Sequence, residues 1–320
     1  MNFHIQNNHM KNFLFFSLRT MLAVAMVCGG AVANDSSFGE VNGGIVLLPQ
    51  QHVSMAYERL VLSEERVEVE YRFENHGPVT VTLPMAFPMP PMYFGESDHS
   101  KLRDFHLWVN DEPVKTHTRL VALLKDRIDV AVELRDRGWD ETALRRYIDS
   151  LGTESPPGAT PLPANWFDDE GEPLLTLREY HLWEQTFPTG KPVNIRHTYR
   201  PSLSTSVWIP AAAILESTAR NCIDAGTRAS IQAMEKADFQ GIRWARLEYT
   251  LTTGGNWKDG VIGDFRLEIR KRDPKDMVAL CFDGELTKTD PLTFTFSARN
   301  YRPTRDLDLL YILRQSEQLY

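Results

Sequence analysis

The chain has 320 residues, with 35 Lys and Arg against 43 Asp and Glu, a formal net charge of −8 and a hydrophobic share of 42%. The acidic balance excludes sequence-independent nucleic-acid binding, which needs a basic face, and it gives an anionic membrane surface nothing to attract. The apolar share is that of a folded chain and excludes disorder.

In chain order the first feature is an export signal. Lys11 and Arg19 are the only Lys, Arg, Asp or Glu residues before Asp35. Met21 begins an apolar run that ends at Cys28; Gly29 and Gly30 break it, and Ala31-Val32-Ala33 places small residues where a signal peptidase reads. Arg19 interrupts the apolar character, so no stretch is long enough for a transmembrane span. Residues 1–33 are therefore read as a signal peptide and Asn34 as the mature N-terminus, which places the protein in the periplasm or outside the cell. Met10 is an alternative start to Met1. Cys28 is an alternative lipoprotein site, although Val27 stands where a small residue is preferred. Loss of Lys11 and Arg19 with the leader takes the charge from −8 to −10.

Period-two alternation then predicts strands. Val53, Met55 and Tyr57 suggest the first. Val67, Val69, Tyr71 and Phe73 alternate with charged residues, Asn75-His76-Gly77-Pro78 turns the chain, and Val79, Val81 and Leu83 return it. Phe105, Leu107 and Val109 lead into the turn at Asn110-Asp111-Glu112-Pro113. The middle changes period. Asp129 can cap a short helix ended by Gly138, and Asp140 a second helix bearing Ala143, Leu144, Tyr147, Ile148 and Leu151 on one face. Strands resume with His181, Trp183, Gln185 and Phe187, then Val193, Ile195, His197 and Tyr199. A helix is expected over 227–237, followed by strands through Leu247, Phe265 and Phe294. The fold class expected is mostly β: two antiparallel β-sandwich-like units with a small helical insertion. The expected boundaries are a signal peptide at 1–33, an N-terminal β-sandwich at 34–125, the insertion at 126–175 and a C-terminal β-sandwich at 176–320. Of the two cysteines left after export, Cys222 and Cys281, an oxidising compartment favours a disulfide over two buried thiols.

Several segments together resemble one family. They are Ala33-Asn34-Asp35-Ser36, Tyr71-Arg72-Phe73-Glu74-Asn75 with Ala86-Phe87-Pro88-Met89-Pro90, and Trp183-Glu184-Gln185-Thr186-Phe187-Pro188. Leu251-Thr252-Thr253-Gly254-Gly255-Asn256-Trp257 and Ile262-Gly263-Asp264-Phe265-Arg266-Leu267 complete the pattern. The combination resembles the secreted bacterial family catalogued as domain of unknown function 4424, across nearly the whole mature chain. The resemblance implies an exported protein with no agreed activity, and it transfers no catalytic residue.

No H-E-x-x-H, C-x-x-C, G-x-S-x-G, P-loop or G-x-G-x-x-G motif is present. Asp306 and Asp308 stand two apart and would share a strand face, as a catalytic pair or, more plainly, as solvated charge. Met85, Met89 and Met92, with His99 downstream, offer soft sulfur for Cu(I). The plainer reading is an apolar strand exit whose prolines stop sheet pairing. Met89, Met92, Tyr93, Phe94 and Trp257 lie in Gly- and Pro-rich segments and are the expected interaction surface; Trp257 has the alternative of folding back as a core plug. The expected role is a non-catalytic binding or scaffolding module whose partner is another envelope protein or polymer, with no nucleic acid and no cofactor. An envelope-polymer hydrolase and a copper binder are the rivals.

Overall fold

The computed structural model describes residues 35–41, 44–89, 92–93, 104–125, 128–149, 156–171, 173–201, 203–216, 221–237 and 242–314. The expected signal peptide, Cys28, Phe94 and His99 lie outside the described residues. The chain opens with strands β1 (Ser36–Val41), β2 (Gly44–Leu48), β3 (Val53–Leu62), β4 (Val67–Asn75), β5 (Val81–Pro88) and β6 (Met92–Tyr93). Next come β7 (His106–Val109), β8 (Glu112–Val114), β9 (His117–Leu124) and β10 (Ile128–Asp129), then helices α1 (Ala131–Asp136) and α2 (Glu141–Asp149). After a 3-10 turn at Ala164–Trp166 follow β11 (Leu175–Phe187), β12 (Val193–Tyr199), β13 (Ser204–Thr205), α3 (Ala211–Leu215) and α4 (Ala225–Ala237). Strands β14 (Arg243–Tyr249), β15 (Ile262–Arg270), β16 (Met277–Ala279), β17 (Thr287–Lys288), β18 (Thr293–Tyr301) and β19 (Leu307–Leu313) come last.

The protein is mostly β, as the alternation predicts. Among the described residues a large sheet runs β17-β18-β15-β3-β4-β12-β7-β8, and a second runs β10-β9-β11-β5-β1-β2, with β6 also on β11. A small sheet runs β13-β14-β19-β16. One core joins all three: Leu60, Tyr71 and Phe265 of the large sheet pack with Phe87 and Phe187 of the second and with Leu247 and Leu309 of the small one. The arrangement is sandwich-like, with the large sheet facing the other two. The sheets nevertheless cut across the boundaries expected at 34–125 and 176–320. β15 pairs in parallel with β3, and β12 pairs with β4, so the large sheet draws strands from both sides of the helical segment. Alternation identifies a strand and its inward face; it carries no information about which distant strand will be its neighbour.

Helices α1 and α2 both begin just after an aspartate, although the N-cap of α1 is Val130, one residue past the Asp129 expected there. The Asp129 carboxylate accepts the Ala131 N–H at 2.8 Å, Asp140 accepts Ala143 N–H at 2.8 Å, and Gly138 ends the first helix with φ +86°. Leu134, Trp139, Leu144 and Tyr147 cover Leu120, Ala122, Leu175 and Leu177 on the second sheet, making a separate small core. α3 and α4 cover the far side of the small sheet, where Ile214 and Ile231 meet Leu310 and Ile312. β19 is thereby buried on both faces, which explains its nearly continuous apolar run.

One irregularity re-aims a side chain. β3 carries a bulge between Met55 and Tyr57, so the inward parity changes there. Met55 points in, Tyr57 faces partly outward, and Glu58 becomes fully buried. β15 follows this contour closely: a Cβ at Gly263 would lie 2.6 Å from the Ala56 carbonyl oxygen.

Candidate binding cleft

Most residues expected on an interaction surface are interior. Met85 and Met89 are fully buried in the main core, whereas Met92 belongs to the small core under α1 and α2. Three methionines divided between two cores do not present a common thioether site, which corrects the copper reading of the described residues. Tyr93 sits on β6, whose backbone pairs with β11. Trp257 is only 2% exposed. Its ring lies 4.4 Å from Phe73 and 6.0 Å from Phe187, and its indole N–H donates to the Asp35 carbonyl at 3.1 Å. The 3-10 turns at Thr252–Asn256 and Lys258–Gly260 fold it inward, so the surface reading gives way to the core plug. The Asp306–Asp308 pair is structural as well. Asp306 accepts the N–H groups of Leu251 and Thr252 at 3.0 and 2.9 Å, and Asp308 pairs with Arg246 at 3.2 Å.

The most concentrated polar chemistry in the core starts at Asp35. Its carboxylate stands 3.4 Å from His197 Nε2, both side chains fully buried. Burial pushes the Asp35 pKa up, and His197 opposes the shift. Nearby, the Tyr71 and Tyr249 hydroxyls are hydrogen-bonded at 3.2 Å across the large and small sheets. Because β1 pairs with β5 through Ser36 and Ser37, the first described residues are part of the interior rather than a tail.

An open cleft of about 770 Å³ lies between α4, the small sheet and the end of the large one. Asp224, Thr227 and Met234 form one wall, and Lys271, Asp276 and Val278 form the other, with Lys275, Lys288, Phe294 and Arg314 around them. Much of this wall is held from within. Asp224 caps α4 by accepting the Thr227 N–H at 2.6 Å. The Lys271 ammonium donates to the carbonyls of Pro274 and Asp276 at 2.8 and 2.6 Å, closing the turn after β15. Asp276 accepts the Arg314 N–H at 2.9 Å and so ties that turn to the end of β19. Burial, and then neighbouring Lys288, hold the Lys271 pKa below the ordinary lysine value, with Asp276 and Asp273 opposing.

The expected disulfide is formed between Cys222 and Cys281. Cys222 lies two residues before Asp224 on one wall, and Cys281 three residues after Val278 on the other, so the bond fastens both walls. None of the cleft's charged residues was singled out by sequence reasoning. The cysteine pair was the one signal available, since it brackets both wall segments.

Over residues 33–310 the chain matches the family described as Domain of unknown function (DUF4424). No curated protein matches it. Among solved structures, a Legionella pneumophila protein described as a candidate nutrient binding protein aligns at a TM-score of 0.45 and 16% identity, over 88% of this chain and 70% of that one.

Proposed function

The chain belongs to the DUF4424 family, and from that premise we propose that it is an exported, non-catalytic binding protein whose ligand seats in the cleft beside α4. The observation that carries this reading is the construction of the cleft. Its volume of about 770 Å³ falls within the range of small-molecule sites, and a disulfide fastens its two walls. A wall fixed before binding loses little conformational freedom when the ligand arrives.

The charges of the cleft support binding over hydrolysis. Asp224 and Asp276 both hold backbone N–H groups, so each acid of the cleft has a structural role in its own wall, although burial raises the Asp276 pKa. Export is supported by the charge, apolar and Ala31-Val32-Ala33 sequence pattern and by the disulfide, a bond that persists in oxidising compartments. Among the described residues no helix is long and apolar enough to cross a membrane.

The experiment is a thermal-shift screen of small metabolites on protein purified from the envelope fraction, repeated on Ala233→Trp. Ala233 is exposed on α4 and lines the cleft, so the indole fills the space without touching the core. Ligands should stabilise the wild type and leave the variant unmoved. Equal shifts on both proteins would move the site elsewhere. Mass spectrometry of the same sample should find Asn34 at the N-terminus; a chain starting at an acylated Cys28 would replace export by signal cleavage with lipoprotein anchoring.

A further inference from the structure

We infer that the cleft takes a small amphipathic organic anion, a carboxylate or phosphate head on an apolar body; this deepens the cleft reading and rests on it. The lining carries the cations Lys271, Lys275, Lys288 and Arg314 against the acids Asp224 and Asp276, an excess of two positive charges on a chain whose net charge is −8. The lining is thus locally positive on an acidic chain, with Asp273 and Asp290 outside it offsetting part of the excess.

The internal bonds sharpen that count. Lys271 is committed to two carbonyls, Asp224 to the α4 cap and Asp276 to the Arg314 backbone. Lys275, Lys288 and Arg314 remain, and among the described residues their side chains make no salt bridge and no hydrogen bond, although Lys288 lies near enough to Asp290 to attract it. Lys275 and Lys288 are exposed and Arg314 partly so, which leaves all three able to turn toward a ligand. Lys271 and Lys288 also lie close enough to repel one another; Asp276 and Asp273 offset part of that repulsion, and a bound anion would offset more.

Apart from the hydroxyls of Thr227 and Ser230, the uncharged side chains of the lining are apolar. Met234 of α4, Met277 and Val278 of β16 and Phe294 of β18 supply this surface, with Met234 and Met277 also packed on the core under α3 and α4. A bare inorganic anion would leave this surface wet. An anion with a short hydrocarbon or aromatic body covers it, which adds burial to the charge contacts. Arg314 can meet two oxygens of the head at once, whereas Lys275 and Lys288 act as point charges.

The test uses octanoate, octyl phosphate, octanamide and inorganic phosphate, titrated calorimetrically into the full mature chain at low and high salt. Both octyl anions should bind, octanamide at least about tenfold more weakly, and inorganic phosphate more weakly than octyl phosphate. The tighter of the two octyl anions identifies the head. The double variant Lys275→Ala, Lys288→Ala should weaken octyl-anion binding about tenfold or more and flatten its salt dependence, with octanamide unchanged. Arg314→Lys should fall between the double variant and wild type. If octanamide binds as tightly as the anions, and the lysine variants change nothing while Ala233→Trp abolishes binding, the cleft reading stands and the anion is wrong. If binding persists in Ala233→Trp, or no probe saturates the wild type, the cleft reading fails and this inference fails with it.

Discussion

At the scale of single residues, Trp257 shows how context overrides local composition. Gly254, Gly255 and Gly260 around it suggest an exposed loop, yet the glycines serve tight turns that drive the ring into the core against Phe73. Trp257→Ala should therefore cost about 3–5 kcal/mol, the loss expected for an aromatic core residue, and Phe265→Ala a similar amount. Urea denaturation of both variants checks this; a Trp257→Ala midpoint close to wild type would return the ring to the surface. The ring's polar end also stays bonded, since its N–H reaches Asp35. Sequence could show that this tryptophan needed a partner or a surface, but not which, because its neighbours in space lie far away along the chain.

His181 carries a pH dependence. Its ring stacks on Phe105 at 3.9 Å and shares a hydrogen bond with Thr116 at 3.0 Å. Burial, then His197 and Arg145, lower its pKa from 6.5 to about 4, and Glu179 lies 3.7 Å away. The folded ring resists protonation, so its contribution is complete above pH 6.5 and is lost as the pH falls toward 4. The loss is on the order of 3 kcal/mol at most. Asp35 and Glu64 work the other way: burial raises both, Glu64 to about 6, so each favours the fold as it gains a proton. Comparing wild type with His181→Gln separates these contributions. The variant should be the less stable at pH 7, and the gap should narrow or vanish near pH 4. A gap that stays constant across that range would show that the ring's protonation is not coupled to folding.

At the scale of elements, the sequence was most legible where one face is wet. β4 alternates inward Val67, Val69, Tyr71 and Phe73 with polar residues, and those four are buried as expected. The Asp140 cap and the α4 helix were readable because capping chemistry is local, whereas α1 has Val130 at its N-cap and Asp129 one residue before it. α3 was not anticipated: it is a five-residue turn after Pro210, too short to show a period. The β3 bulge was also invisible, because Val53, Met55 and Tyr57 continue a regular alternation that the backbone breaks. Its signature lies on the neighbouring strand, at Gly263. Gly→Ala at an unstrained position commonly stabilises by about 0.4–1 kcal/mol, but here the new Cβ would meet a backbone oxygen, which cannot move aside as a side chain would. Gly263→Ala should instead destabilise by about 1–3 kcal/mol, read from the thermal midpoint. An increase in that midpoint would mean that β15 can shift away from the bulge at little cost.

For the molecule as a whole, the decisive contact is the one that local pattern could not supply, the parallel pairing of β15 with β3. It places a strand from residues 262–270 beside one from 53–62 in the middle of the large sheet, and β12 joins from the opposite side through β4. Neither half of the chain can complete that sheet alone. A fragment of residues 34–125 would leave β3 and β4 with open edges, and a fragment of 176–320 would leave β15 and β12 without the strands between them. Open apolar edges of this kind favour aggregation over a folded monomer. The shared core makes the same point energetically, since Phe87, Leu247 and Phe265 belong to one packed cluster although each comes from a different sheet. The full chain should accordingly unfold in a single cooperative transition, with fluorescence and circular dichroism coincident in urea. The two fragments expressed separately should be insoluble or lack fixed tertiary structure, and co-expression should recover soluble complex. Two resolved transitions in the full chain, or a fragment of 176–320 that folds alone with dispersed amide resonances, would instead establish two independent sandwiches. In that case the β15–β3 pairing would be a docking contact between finished domains rather than part of their construction.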